Sequence, residues 1–497
     1  MKLASLVQGI PILKALGEPN PEISGVGYDS RKIQAGQVFV ALKGAHSDGH
    51  SFLNEVAQKG ALVLVVEDLK LIPKDYKGTV LQVKDTRRAL DKLAHSFFGK
   101  PSENLFVAGV TGTNGKTTTT YMIEAILNKG VGPTGVLGTI DFHLGTWSRP
   151  STHTTPEPLE LHGLLAQWIK NGARAVAMEV SSHALTQGRV DSVAFDAAVF
   201  TNLTRDHLDF HKSFENYRAA KASLFNELLE KSAKTLRRAV VNGEDPSALF
   251  MKGPTVPTWT YGIQKGDIYA RHLQVSLEGS SFEAVTPLGT FPVRLQMVGR
   301  HNVANALGAI GVALHREIPF VMIAQALEQL NGVRGRLQRV QSKSSTRVFV
   351  DYAHTDDALE KVLSFLKGLM KDEGPGAAKN RLITVFGCGG DRDKGKRPLM
   401  LQAALKYSDL VVVTSDNPRT EDPGLIIRDI FCDTGGVAPK NVLEDIDRHK
   451  AIEIALREAK AGDVVLIAGK GHKDYQIIGK EKKPFDDAIV AKEILDP

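Results

Sequence analysis

At 497 residues the chain is too long for one hydrophobic core, and 42% hydrophobic with 24% charged residues is the make-up of a soluble globular protein of two to four domains. No apolar run reaches 18 residues, the N-terminal stretch Met1–Gln8 leads into polar, proline-containing sequence, and Cys388 and Cys432 form neither a disulfide framework nor a metal spacing. A cytoplasmic protein without membrane insertion is expected. Net charge +6 and a pI near 9 admit nucleic acid, but no run of five basic residues occurs and aromatics are 6%, so no nucleic-acid partner is expected.

In chain order, residues 1–98 carry short Val/Leu strands, clearest at Gln37–Leu42 and Ala61–Val66. The small polar run Gly44–His50 lies between them, and Tyr28-Asp29-Ser30-Arg31 lies upstream. Taken alone, both read as turns. A helix from Thr86 to Phe98 ends at Gly99-Lys100-Pro101, a first boundary. Next, Leu105–Val110 reads as a buried strand and Thr119–Lys129 as a helix stopped at Gly130. Between them stands Thr111-Gly112-Thr113-Asn114-Gly115-Lys116-Thr117-Thr118. A strand, a glycine loop ending Gly-Lys-Thr and a helix form a cradle for a nucleoside triphosphate, with backbone N–H groups and a lysine toward the phosphates and a hydroxyl for Mg²⁺. The strict spacing asks for glycine at Val110, whereas Gly109 comes one place early.

Strands then alternate with helices, which predicts a mostly parallel sheet covered on both faces. The strand Ala173–Met178 ends in Glu179-Val180-Ser181-Ser182-His183, and Phe195–Phe200 ends in the polar run Thr201–Asp209. Ligands gather at such strand ends, so these and the glycine loop predict one composite site. A helix over Ser213–Lys231 repeats Phe214, Tyr217, Leu224, Phe225 and Leu228 along one apolar stripe, and Lys221 falls on it. Two readings stand: a snorkelling lysine with its head in water, or a desolvated amine held neutral and reactive. Residues 260–300 predict β-hairpins. A helix follows, whose Asn302 and Asn305 suit either a base edge or capping and packing. Gly332–Arg336 is a second boundary, after which four strands each end in chemically loaded residues: Asp351–His354, Gly387–Asp393, Thr414–Arg419 and Ala468–His472.

Several of these stretches together resemble the Mur ligases, the ATP-dependent amino-acid-adding enzymes of peptidoglycan precursor synthesis, over essentially the whole chain. They are Thr111–Thr118, Glu179–His183, Asn202–Asp209, Ala220–Phe225, His301-Asn302 with Asn305, and Asp351–His354. Within the family the similarity is to the type that adds the third peptide residue to UDP-MurNAc-L-Ala-D-Glu. The resemblance implies an α/β fold of three domains. These are a small N-terminal UDP-binding domain over 1–98, a central P-loop-type ATPase domain with a mostly parallel sheet over 99–335, and a C-terminal Rossmann-like amino-acid-binding domain over 336–497. It implies a cytoplasmic monomer whose substrates are UDP-MurNAc-L-Ala-D-Glu, ATP and meso-diaminopimelate. The D-Glu carboxylate takes the γ-phosphate of ATP to give an acyl phosphate and ADP, and an amine then displaces phosphate.

The resemblance also implies roles by residue. Lys116, Glu179, His207 and a carbamylated Lys221 would be catalytic, and Thr117, Glu179, His207 and Lys221 would hold Mg²⁺. ATP would lie on Gly112, Thr113, Asn114, Gly115, Lys116, Thr117 and Thr118, with Asn302 and Asn305 at the base and Arg336 and Asp351 near ribose and phosphates. Ser30, Ala45, His46 and Ser47 would take the uridine end of the sugar nucleotide, and Thr154, Thr155, Ser181, Gln187 and Arg189 its peptide end. The added amino acid would fall to Arg392, Asp416, Asn417, Pro418, Arg419, Gly469 and Lys473. Diaminopimelate exceeds lysine by one carboxylate, which an arginine fork binds through two parallel hydrogen bonds.

Two residues depart from the family pattern. Lys473 stands where the family has Glu to hold the far ammonium, which favours a lysine-adding enzyme as the alternative, opposed by Arg419. Asp356 replaces a proline at a helix start, where Asp is equally at home. A folylpolyglutamate synthetase shares the central fold but not the N-terminal domain. A non-catalytic nucleotide-binding scaffold has no use for Lys116, Glu179, His207 and Lys221 together. A serine hydrolase on Ser182-His183 lacks a nucleophile elbow, and zinc at His207 and His211 lacks a third ligand.

Overall fold

The valine-rich runs of residues 1–98 pair into one sheet in the computed structural model, which describes residues 1–44, 47–373 and 379–496. Its strands are β1 (Ile12–Leu16), β2 (Gly25–Gly27), β3 (Gln37–Val40), β4 (Val63–Val66) and β5 (Thr79–Val83), in the order β1-β5-β4-β3-β2 with only β1 antiparallel. Helix α1 (Thr86–Phe97) begins where Asp85 accepts from the N–H groups of Arg87 and Arg88, and it buries Ala89, Leu90, Leu93 and Ala94.

The central sheet is built on β6 (Phe106–Thr111). The strands β7 (Thr134–Leu137), β8 (Asp141–Leu144) and β9 (Trp147–Pro150) follow, then β10 (Ala175–Glu179), β11 (Ala197–Phe200), β12 (Arg238–Asn242) and β13 (Thr258–Gly262). Their order is β13-β12-β11-β6-β10-β7-β8-β9, parallel through β7, with β8 and β9 added antiparallel. The buried apolar runs of β6, β10 and β11 have no exposed face, as a sheet covered on both sides requires. Gly109 has its own reason inside β6. A Cβ there would stand 2.7 Å from the Phe195 ring, so this glycine serves packing rather than the loop that follows.

Helix α2 (Lys116–Gly130) starts three residues earlier than its apolar pattern suggests, which puts Lys116, Thr117 and Thr118 in its first turn. It also carries Glu124 toward β8. There His143 sits between two carboxylates, Nδ1 at 2.8 Å from Asp141 and Nε2 at 2.9 Å from Glu124, and its pKa is raised to about 9, the hydrogen bonds to Asp141 and Glu124 outweighing burial. The raised value means that the imidazolium's stabilising contribution is complete below about 6.5, the unfolded value, and is lost as pH climbs through about 9. The melting temperature of the protein should therefore fall across that interval by more than that of His143→Gln, measured by thermal unfolding from pH 6 to 9.5.

The expected helix over Ser213–Lys231 is in two parts. Helix α3 (Phe214–Ser223) is followed by a π-helical segment, Leu224–Leu229. The wider turn slips the buried face by one residue, so Leu229 is fully buried and Leu228, the residue expected there, packs only half-buried against the core. Strands β14 (Ile268–Ser276), β15 (Gly279–Thr286) and β16 (Gly289–Leu295) fulfil the hairpin expectation, and helix α4 (Arg300–His315) follows.

Two compact units divide the chain, Met1–Ala270 with Ala284–Phe291 and Ala304–Ala326, and Arg271–Glu283 with Pro292–Val303 and Leu327–Pro497. The second unit carries β17 (Gln338–Arg339), β18 (Arg347–Asp351), β19 (Leu382–Cys388), β20 (Leu410–Ser415), β21 (Val442–Asp445) and β22 (Val464–Ala468), in the order β17-β18-β22-β19-β20-β21, parallel except for β17. Helices α5 (Arg448–Glu458) and α6 (Asp487–Leu495) pack on one another, and a hairpin of β23 (Tyr475–Ile478) and β24 (Glu481–Pro484) lies between them in sequence. No helix among the described residues is long and apolar enough to cross a membrane.

Candidate active site

The loop between β6 and α2 is bound to the end of β11 by its own backbone. Thr113 N donates to Asn202 O at 2.8 Å, Asn114 N to Asn202 Oδ1 at 2.9 Å, and Thr201 Oγ1 to Asn114 O at 2.6 Å. That closeness demands Gly112, where φ is +149° and a Cβ would lie 1.9 Å from Thr201 Oγ1. Gly115 takes φ +84° at the helix start, with Asn305 Oδ1 against it.

Two lysines meet on one oxygen of this loop. Lys116 Nζ donates to Gly112 O at 3.0 Å and to Thr113 O at 2.8 Å, while Lys221 Nζ, arriving from α3, donates to the same Gly112 O at 2.7 Å. Lys221 is 1% exposed, so the snorkelling alternative is gone. Burial first, and the Lys116 charge second, push its pKa well below the usual lysine value, toward a neutral amine. The Tyr217 ring lies 4.6 Å from its nitrogen, and the Tyr217 hydroxyl is 3.1 Å from Thr113 Oγ1.

At the end of β10, Glu179 is fully buried. Its carboxylate accepts from Thr139 N at 2.8 Å and Thr139 Oγ1 at 3.1 Å, and Thr139 Oγ1 lies 3.1 Å from Thr154 Oγ1. Thr155 Oγ1 donates to the Glu179 carbonyl at 2.8 Å and accepts from Ser181 N at 3.0 Å. Arg189 donates to Thr155 O at 3.0 Å and, through Nε, to Gln187 Oε1 at 2.9 Å. Thr154, Thr155, Ser181, Gln187 and Arg189 thus form one connected patch.

His207 holds left-handed backbone (φ +52°), its side chain half exposed and its ring 4.9 Å from that of His183 and 6.1 Å from Tyr217. His211 is buried behind it on Ser182 Oγ at 2.9 Å, and burial, with His183 and Lys221 nearby, lowers its pKa to about 4. The lowered value favours the neutral imidazole. No group of three His, Cys, Asp or Glu side chains able to hold a metal ion occurs among the described residues. In the N-terminal sheet domain, Ser30 is buried with its carbonyl accepting from Lys59 Nζ at 2.8 Å, and Ser47 is exposed; Ala45 and His46 lie outside the described residues.

The second unit gathers the other predicted residues at its own strand ends. Asp351 closes β18, accepting from Leu337 N at 2.7 Å and Ala353 N at 2.8 Å, and burial raises its pKa despite those bonds. Arg336 lies over Tyr352, 5.7 Å from the ring centre, and Gly469 N donates to Asp351 O at 3.1 Å. Asn302 is buried, its amide donating to Val298 O at 2.9 Å. After β20, Asn417 Oδ1 accepts from Ile477 N at 2.8 Å and its amide donates to Asp416 Oδ1 at 3.0 Å.

Arg419 has left-handed backbone (φ +54°), held by Arg419 N to Ile477 O at 3.0 Å and Gly479 N to Arg419 O at 2.7 Å. Its Nη1 donates to Gly390 O at 2.6 Å, while Nε and Nη2 have no protein acceptor among the described residues. Those two parallel N–H groups form the edge of a guanidinium that is able to pair with a carboxylate. Arg392 is exposed, donating to Asp391 O at 3.0 Å, and Lys473 Nζ lies 6.0 Å over the Tyr475 ring. Thr139 carries no local signal in the sequence, and Tyr217 stands out there only as part of the apolar stripe. Lys470 belongs to the loaded strand end Ala468–His472 but receives no role from the sequence.

A glycine loop running into a helix N-terminus, a buried amine beside it and a second α/β unit with polar residues at its strand ends are the parts of an ATP-dependent ligase. The chain matches three family models: Mur ligase family, catalytic domain over residues 22–98, Mur ligase middle domain over 110–313, and Mur ligase, glutamate ligase domain over 335–471. It is 43% identical over 98% of its length to a UDP-N-acetylmuramoyl-L-alanyl-D-glutamate--2,6-diaminopimelate ligase of Geobacter sulfurreducens, of which 97% is covered. To the protein of the same name in Syntrophomonas wolfei it is 42% identical over 100% of this chain and 99% of that one. A solved structure of a UDP-N-acetylmuramoyl-L-alanyl-D-glutamate--2,6-diaminopimelate ligase superposes with a TM-score of 0.71 at 34% identity, covering 95% of each chain. The chain belongs to the Mur ligase family.

Proposed function

We propose that this ligase adds meso-2,6-diaminopimelate to the D-Glu carboxylate of UDP-MurNAc-L-Ala-D-Glu in the cytoplasm, with ATP cleaved to ADP and phosphate, as a step of peptidoglycan precursor synthesis. The domain limits 1–98, 99–335 and 336–497 belong to the same reading. The observation that carries it is the meeting of Lys116 and buried Lys221 on Gly112 O, beside a loop shaped for phosphate. Phosphoryl transfer between two anions needs charge and alignment more than covalent help. Lys116 brings the charge, and the helix N-terminus with the loop N–H groups orients the triphosphate.

Mg²⁺ fits the donors present. The Thr117 hydroxyl in the first turn of α2 and the buried Glu179 carboxylate are hard oxygen donors, and His207 is a borderline one. Mg²⁺ keeps waters and substrate phosphates as ligands, so a full protein cage is not required. When bound, it would neutralise charge building on the transferring phosphoryl group. Lys221 is suited to become a carbamate: its neutral amine attacks CO₂, releases a proton and leaves an anionic group beside the loop. Arg419 presents its Nε and Nη2 edge to the distal carboxylate of the amino acid, and the patch from Thr154 to Arg189 receives the peptide end of the sugar nucleotide.

The test is phosphate release from ATP with UDP-MurNAc-L-Ala-D-Glu and Mg²⁺ while a panel of amino acids is offered one at a time. Release with meso-diaminopimelate and not with L-lysine is the expected result. Turnover with lysine alone would reassign the substrate, and none with either would leave only a nucleotide-binding scaffold.

A further inference from the structure

The loops assigned above to the amino acid start where β20 and β22 end, yet these strands are not neighbours, since β19 lies between them. No ladder hydrogen bond can fix one end against the other. Arg448, on α5, does so. Its Nη1 donates to Ser415 O at 3.2 Å, the last residue of β20, and its Nη2 to Ala468 O at 3.0 Å, the last residue of β22. The guanidinium is aimed by Asp487 on α6, with Nε to Oδ1 at 2.7 Å and Nη2 to Oδ2 at 2.8 Å, both side chains being fully buried. One residue beyond Ser415, Asp416 lies 3.6 Å from Lys470 Nζ, and Lys470 is itself buried and reaches back to the Tyr475 carbonyl.

A buried ion pair is a weak source of stability, because apolar residues of similar volume fill such a space as well or better. What an apolar pair cannot do is donate to two separate carbonyls while locked in one orientation. Lysine cannot either, having one ammonium in place of a planar fork. We propose that Arg448, oriented by Asp487, is a positioning residue for the amino-acid site: it sets the spacing of Asp416–Arg419 against Gly469–Lys473 and thereby the grip on diaminopimelate. The inference rests on the functional reading above, in which those loops receive the amino acid.

The experiment varies each of the three substrates in turn for the wild type, for Arg448→Lys, and for the double variant Arg448→Met with Asp487→Leu, which removes both charges together and so leaves none unpaired. Expected in both variants is a rise of at least about tenfold in KM for meso-diaminopimelate, with KM for ATP and for the sugar nucleotide within about twofold of wild type. An unchanged KM for diaminopimelate, an equal change for all three substrates, or failure of both variants to fold would overturn the proposal, leaving the pair a packing element. A wild type that ignores diaminopimelate would overturn the functional reading, and this inference with it, before any variant is made.

Discussion

Lys221→Met will keep the fold and lower kcat by roughly 10²- to 10³-fold, the loss usual when one preorganised electrostatic group is removed from a reacting centre. Methionine matches the length and apolar character of the lysine stem, and Gly112 O still accepts from Lys116. Removing a desolvated amine relieves a burial cost, so the melting temperature should hold or rise. The lysine owes its lowered pKa first to burial and second to Lys116, and both favour the uncharged nucleophile that CO₂ requires. Wild-type enzyme given ¹³C-bicarbonate should therefore show a carbamate resonance that Lys221→Met lacks, and its activity should fall in CO₂-depleted buffer. A methionine variant that turned over normally would end the carbamate reading.

Arg419→Ala is expected to act on one substrate only. Losing a charge-assisted pair costs on the order of 2–5 kcal/mol, so KM for meso-diaminopimelate should climb from about thirtyfold to several thousandfold, with ATP binding unchanged. The geometry explains the specificity of the effect. Nη1 is spent on Gly390 O, and the remaining edge of the fork is what a carboxylate would meet. Saturation at the wild-type concentration would refute the assignment. A lysine requirement appearing in its place would turn attention to Lys473.

Much of this was legible beforehand, for identifiable reasons. Buried parallel strands write continuous apolar runs, so β6, β10, β11 and β18 to β20 stood out, and the polar residues at their ends gave the candidate site its position in the sequence. Lys221 betrayed itself by interrupting an apolar stripe. Gly109 misled only because a glycine one place early reads as a flawed loop, while its cause is the Phe195 ring 86 positions further on. The π-helical turn was invisible, since periodicity tests only the 3.6-residue repeat. Thr139 and Arg448 were equally hidden, because their partners are set by topology, and nothing around either residue in sequence announces it.

The extra residue of the π-turn has a mechanical result. The α-turns before it set the azimuth of Lys221 about the helix axis, while Leu224, Phe225 and Leu229 after it dock the rest against the sheet. The wide turn is a fixed offset of one residue between the two stretches, so the far end seats Leu229 on the sheet while the near end keeps Lys221 on Gly112 O. One helix thereby satisfies two seats that a regular repeat would not bring into line together.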